Sequence, residues 1–166
     1  MSADDVAFRQ GMRALATGVT LVTTAHEGVR RGLTASAVCS LCATPPLLLV
    51  CVNKSALAHD VIFAANAFCV NILANHHGDL ARLFADAAAA ERRFDEGRWR
   101  DGAMGVPVLE DALASFECKL DLAVEKATHT IFIGAVEEVR VGAGEPLLYF
   151  GGSFRNLSDV TEGVLP

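Results

Sequence analysis

The chain has 166 residues, a formal net charge of −6 at neutral pH, 52% hydrophobic residues and five cysteines. That length accommodates one domain with a substantial core and is short for two, so a single domain over 1–166 is expected, with its core at about 8–157. The acidic balance, with no Lys/Arg cluster to offset it, argues against general binding to a phosphate backbone, and no nucleic-acid partner is expected.

The longest unbroken apolar run, Leu47 to Val52, falls far short of the roughly 20 residues of a membrane-spanning helix. No membrane association is expected, yet there is more apolar material than one small core hides, which suggests a buried subunit interface. The opening "MSADDVAFRQ" lacks the basic end and apolar stretch of a secretory signal, so the cytoplasm is the expected location. The cysteine count is odd, and three of the five lie in apolar, strand-like runs; reduced thiols are therefore expected rather than a disulfide framework.

In chain order, Asp4 or Asp5 can cap a first helix carrying Phe8, Met12 and Leu15 at helical spacing and ending near Gly18. "GVTLVTTA" reads as a β-branched strand, "HEG" as a turn and Val29 to Ala35 as the returning strand. Val38 to Leu41 forms another, which Pro45 and Pro46 end as a corner. "LLLVCV" lacks polar alternation and should be covered on both faces. A helix from about Ala56 to Asn66, the buried strand "FCVNIL" and a helix through Leu80, Leu83 and Phe84 follow, with "AAAAERRF" prolonging or neighbouring that helix. Gly97 to Pro107 shows no periodicity and reads as a loop. Phe116, Cys118, Leu120, Leu122 and Val124 then alternate with Glu117, Lys119, Asp121 and Glu125, the pattern of a half-exposed strand. "TIFIGAVEEVRV" and "PLLYF" are the last strands, with Gly142 to Pro146 between them, and the final residues, 158–166, are expected to fray.

Many strands, few helices and no internal repeat point to a mostly antiparallel β barrel with helical additions. The alternative, a parallel nucleotide-binding α/β sheet, lacks its G-x-G-x-x-G signature. Strong catalytic side chains are scarce. Cys39-x-x-Cys42 is one ligand pair where a structural zinc site needs two. His76 and His77, if helical, point about 100° apart, so no metal site is expected. There is no G-x-S-x-G elbow, no paired catalytic carboxylates and no cysteine in surroundings that favour a thiolate.

Four stretches carry a resemblance: "FRQGMRALATGVTLVTT", "GLTASAVCSLCATPPLLLVCVN", "ERRF" followed by Trp99, and "ATHTIFIGAVEEV". In that order and at similar separations they resemble the short-chain flavin reductases with an FMN-binding split barrel, the reductase components of two-component flavin monooxygenases. The likeness covers about residues 8–157. It implies a mainly β fold, a six-stranded antiparallel Greek-key split barrel with flanking α-helices. It also implies a homodimer that passes hydride from NADH or NADPH to FMN or FAD, which then serves a partner monooxygenase.

The residues fit that chemistry. Thr34, Ala35, Ser36 and Ala37 form a surface small enough for a flat isoalloxazine ring, with amides and hydroxyls for its polar edge. Asn53, Lys54 and Ser55 end the apolar strand at positions where the family contacts the ribityl chain and phosphate. Arg93 and Phe94 match a basic-aromatic pair near the phosphate, with Arg92 an equal candidate for the charge, and Phe154 matches an aromatic position beside the flavin. His129 matches the family histidine on the nicotinamide side of the ring, where it can orient the dinucleotide. Family members usually carry glycine two residues earlier, where this chain has Ala127; if that position needs a positive φ, the loop must differ. Two other readings remain open at this point: a split-barrel flavoprotein that holds FMN tightly and reduces another acceptor, such as a corrinoid or ferric complex, and a non-catalytic flavin-binding module.

Overall fold

The β-branched run after Gly18 and its partner beyond His26 form the first hairpin of the computed structural model, which describes residues 4–157. The stretch expected to fray, 158–166, lies outside the described residues. Ahead of the hairpin, Asp4 caps helix α1 (Asp5–Arg13), its carboxylate accepting from the Val6 amide at 3.2 Å. The helix ends short of the expected Gly18 and buries none of its residues; Phe8, Met12 and, beyond its end, Leu15 are all at least half exposed. After the two-residue strand β1 (Thr17–Gly18), β2 (Thr20–His26) pairs antiparallel with β3 (Val29–Ala35). Glu27 and Gly28 turn the chain at φ of 49° and 79°, the conformation that matches the twist of the flanking strands.

Next come β4 (Val38–Ala43), β5 (Pro46–Asn53), helix α2 (Ala58–Ala65), β6 (Ala67–Ile72) and helix α3 (Gly78–Ala85). Two short strands, β7 (Trp99–Asp101) and β8 (Pro107–Leu109), precede the long pair β9 (Ala114–Lys126) and β10 (His129–Val141). The described chain closes with β11 (Leu148–Phe150) and β12 (Ser153–Arg155), which join β1 in a small sheet of their own.

The expected six-stranded barrel is corrected to one seven-stranded antiparallel sheet in the order β3-β2-β6-β9-β10-β5-β4, with no ladder closing β4 onto β3. Those two edge strands are nonetheless joined by Ser36 and Ala37 alone. Three residue steps span at most about 11 Å, so the sheet has to roll until its edges meet at this corner. It is a rolled sheet, split along one seam.

Inside the roll lie Val22, Val50, Val52, Phe68, Val70, Cys118 and Phe132, with Ile62 of α2 among them. The outer side of β2 is buried too, because Leu21 packs with Leu80, Ala81 and Phe84 of α3. The outer side of β6 is covered by β7 and β8, where Cys69 meets Val106 and Val108. The stretch read as a loop, Gly97 to Pro107, therefore contains half of a strand pair, Trp99 opposite Leu109 and Asp101 opposite Pro107. Three residues per strand are too few to show a period. "AAAAERRF" does not prolong α3 either: Asp86 leaves the helical conformation, caps the Ala88 amide at 2.9 Å and starts a separate 3-10 stretch, Ala87–Arg92.

The alternation expected along β9 fails at a bulge. Ile133 faces Leu122 but Gly134 faces Leu120, so Asp121 is an extra residue on β9. A one-residue slip sends every following side chain to the opposite face. Cys118 is buried, whereas Leu122 and Val124 are 51% and 43% exposed. Glu117, expected at the surface, is buried and accepts a hydrogen bond from the Arg100 guanidinium at 3.4 Å. "LLLVCV" is likewise covered fully on one face only: Leu48, Val50 and Val52 point inward, while Leu47, Leu49 and Cys51 are half-buried on the outside. The ladder lines up Cys51, Ile131 and Val124 in one row and Leu49, Ile133 and Leu122 in the next, an apolar outer face across three strands.

Ala127 and Thr128 close the β9–β10 hairpin, and Ala127 adopts φ 48°. The loop thus keeps a left-handed residue without glycine, a conformation that costs an L-residue roughly 1–2 kcal/mol. Ala127→Gly should raise the unfolding free energy by about 1 kcal/mol, read by urea denaturation. A loss of stability would contradict the strain.

Candidate functional site

Three of the segments singled out in the sequence meet at one end of the rolled sheet. At the seam corner, the Cys51 amide donates to the Ala37 carbonyl at 3.0 Å, which ties the corner to β5 two residues before Asn53. Asn53 stands directly opposite His129 in the β5–β10 ladder, and the Lys54 amide donates to the Thr128 carbonyl at 2.9 Å. Ser36, Ala37, Asn53, Lys54, Ser55 and His129 are all exposed along this rim.

The local hydrogen bonds explain its shape. Asn53 Oδ1 accepts from both the amide and the hydroxyl of Ser55, each at 2.9 Å, folding the strand end into a turn ahead of α2. His129 Nδ1 lies 2.9 Å from the Thr128 hydroxyl. Lys54 Nζ lies 2.5 Å from a carboxylate oxygen of Glu125, and this hydrogen bond and charge hold the Glu125 carboxyl below its ordinary pKa. One strand position inward, His59 Nε2 sits 2.8 Å from the Thr130 hydroxyl and its Nδ1 2.7 Å from Asp60, fastening α2 to the start of β10. Among the described residues, the amides of Ser36 and Ala37 donate to no backbone carbonyl. Beside Ser36 opens a cleft of about 660 Å³ with walls that include Gly18, Val38, Leu48 and Val139. It touches neither Lys54 nor His129 and offers shape and apolar contact rather than charge.

The remaining sequence candidates have other partners. The Thr34 hydroxyl donates to the Ala81 carbonyl of α3 at 2.6 Å, and Ala35 is buried, so both build the corner from behind. Arg93 is buried, with its guanidinium donating to the carbonyls of Gly32 at 2.6 Å and Asp86 at 2.7 Å. It covers the open edge of β3, and of the two arginines weighed for a phosphate it is Arg92 that is exposed. Phe94 packs between Phe84 and Trp99, at centroid distances of 5.2 and 5.0 Å. Phe154 lies under the Arg82 guanidinium at 5.1 Å, against the first turn of α3, and shares its pocket with Asn75, His76 and Asp79.

With this geometry in place, comparison with known proteins is decisive. Residues 12–158 match the flavin reductase like domain family. The chain belongs to that family. It is 40% identical over 157 residues to "FMN reductase (NADH) RutF" of Pseudomonas syringae pv. syringae, covering 94% of this chain and 88% of the relative. Among solved structures it resembles the NADH:FAD oxidoreductase SgcE6 of Streptomyces globisporus C-1027, in complex with NAD and FAD fragments. The TM-score is 0.89 at 35% identity, over 96% of each chain. It also resembles BorF, the flavin reductase component of a bacterial two-component tryptophan halogenase, with a TM-score of 0.86 at 34% identity over 95% of this chain and all of that one. No helix among the described residues of this flavin reductase-like chain is long and apolar enough to cross a membrane.

Sequence reasoning missed two features. Glu125 read only as the exposed half of an alternating strand, and nothing in the sequence linked it to Lys54. The histidine pair was judged on helical geometry, but Asn75–His77 form a 3-10 turn in which the two rings lie 3.9 Å apart. His76 Nε2 is 3.5 Å and His77 Nε2 3.3 Å from the two oxygens of Asp111. His77 Nδ1 accepts the Ala74 amide at 3.1 Å, so in the neutral ring the proton sits on Nε2 and faces Asp111. A cation there would have to displace that proton and break the cap; as it stands, the cluster sets the start of α3 beside the segment before β9 at charge-contact distance, with His77 Nε2 and Asp111 Oδ1 lacking a hydrogen-bond partner among the described residues.

Burial, aided by the neighbouring His76, holds the His77 pKa below its ordinary value against the pull of Asp111. The unfolded chain takes up this proton near pH 6.5 and the folded chain only lower, so stability is lost as pH falls from about 6.5 toward the folded value. His77→Gln, whose amide oxygen can still accept the Ala74 amide, should lose less stability than the parent between pH about 7.5 and about 5.5. Urea unfolding at the two pH values gives the comparison, and equal losses would remove His77 from the acid response.

Proposed function

We propose that this protein is an NADH-dependent flavin reductase, which reduces FMN or FAD and releases it to a flavin-dependent monooxygenase. The observation that carries the reading is the meeting of the small-residue corner, the Asn53–Ser55 turn and His129 at one sheet end in a chain of this family. The names of the relatives support NADH as the donor, FMN in one and FAD in another. The overall change is NADH, a proton and oxidised flavin giving NAD⁺ and reduced flavin.

The chain's part in this is binding and orientation. Thr34 and Ala35 shape the corner from behind, so that Ser36 and Ala37 present amides with no partner among the described residues, where small side chains let a flat ring approach. Donors held in place at the ring's polar edge favour the charge that develops on reduction. Asn53, Lys54 and Ser55 hold the ribityl chain and phosphate, with Lys54 supplying the charge. His129 positions the dihydronicotinamide from the adjoining strand. Arg93 and Phe94 support β3 and α3 and make no ligand contact in this reading, and Phe154 has no part in it. Hydride transfer needs alignment rather than a general acid, which accords with the lack of a nucleophile or carboxylate pair at the rim.

A second copy of the chain covers the apolar outer face of β5, β10 and β9. Leu47, Leu49, Cys51, Ile131 and Ile133 are only half-buried there, and Leu122 and Val124 are more open still. The face ends at Asn53, His129 and Lys126, so the site borders the contact between two protomers.

Oxidation of NADH with FMN or FAD supplied tests the enzyme reading; no flavin-dependent turnover with either would overturn it. His129→Ala should lower kcat/KM for NADH by about ten-fold while changing the flavin Kd by less than about three-fold, as expected for a group that aligns the nucleotide. An unchanged rate of reduction in stopped-flow would return His129 to a surface role. For the dimer, Leu122→Glu should shift the mass found by light scattering toward the monomer, since a buried, unpaired carboxylate disfavours association. An unaltered dimer, or a parent protein that is already monomeric, would refute the interface.

A further inference from the structure

The sequence offers no reason to connect Glu125 with Lys54, 71 residues away, but the structure holds their charged ends 2.5 Å apart at the rim. Both side chains face solvent, Lys54 36% and Glu125 61% exposed, so neither is needed to fill the core. Glu125 stands opposite Thr130 in the β9–β10 ladder, beside the strand that begins with His129. An ion pair between two exposed groups contributes little to folding. Placed on the charge that the proposed site uses for a phosphate, it has a different consequence.

We propose that Glu125 is an internal competitor for the flavin phosphate, and that it sets how tightly and how long phosphorylated flavins are held. The inference rests on the reading of Lys54 as the phosphate partner. An ammonium has three donors, but a phosphate carrying close to two negative charges and a carboxylate repel one another when both approach it. An arriving phosphate therefore has to displace Glu125, and a departing one returns the ammonium to it. The site binds FMN or FAD less tightly than Lys54 alone would allow, and riboflavin, with no phosphate, is unaffected. Such a device suits a protein whose product must leave.

The experiment follows flavin fluorescence during titration of the full chain with FMN and with riboflavin. Glu125→Gln keeps the shape of the side chain at an exposed position and should tighten FMN by about three-fold, the scale of one exposed charge pair, with riboflavin unchanged. The gain should shrink as salt is raised, because exposed charges are screened. It should also shrink in a Lys54→Ala background, where there is no ammonium left to compete for. Lys54→Ala alone should weaken FMN and leave riboflavin as it was; equal effects on both would overturn the reading of Lys54 itself. If Lys54→Ala weakens FMN but Glu125→Gln leaves it unchanged or weaker, or tightens riboflavin equally, the competition is overturned while the phosphate site stands.

Discussion

A two-residue bridge governs this architecture: Ser36 and Ala37 connect the strands at opposite edges of a seven-stranded sheet. Twist between neighbouring strands accumulates across such a sheet, and the short bridge forces that twist to bring the edges together. An exposed sheet edge needs some form of cover. Here the Arg93 guanidinium takes the Gly32 carbonyl on one side of the seam, and the Cys51–Ala37 hydrogen bond fixes the chain on the other. What remains open is a short stretch of backbone with small side chains, and the candidate site is built on it. The corner is small and polar for the same reason that the sheet rolls.

The bulge at Asp121 does comparable work for the other face. Without it, Leu122 and Val124 would continue the inward row that Cys118 begins, and the far half of β9 would have no apolar exterior. With it, one strand contributes to the interior over its first half and to the outer apolar face over its second. The same ladder then runs out at Asn53, Lys126 and His129. Core, outer face and site are successive zones of the same strands, which is how a chain of this size combines them.

Much of this could be read from the residues, and the exceptions have common causes. The hairpin of β2 and β3 was legible because a β-branched run, a turn with glycine and a returning run are local signals. Four stretches in a familiar order single out the small-residue corner, Asn53 to Ser55 and His129, and the fold brings these segments to one sheet end. The second half of β9 was misread because a bulge leaves no mark in an alternating pattern. β7 was hidden because three residues cannot display a period. For Arg93, a basic residue beside an aromatic looks the same in sequence whether it meets a phosphate or, as the guanidinium does here, two backbone carbonyls. The Lys54–Glu125 pair and the His76–His77–Asp111 cluster depend on register between distant segments, which no local signal carries.

The placement of the five thiols separates them by chemistry. Cys69 and Cys118 are buried, and burial raises both above the ordinary thiol range, Cys118 to about 12, with the Glu117 carboxylate adding to the effect. Oxidation proceeds through the thiolate, so these two are slow to react even where oxidant reaches them. Cys39 and Cys42 are exposed and Cys51 partly so. A reductase that releases reduced flavin works beside a source of peroxide, because reduced flavins react with dioxygen. Oxidative wear will therefore fall on Cys39 and Cys42 of β4 first, while the sulfur atoms on which the packing depends are spared.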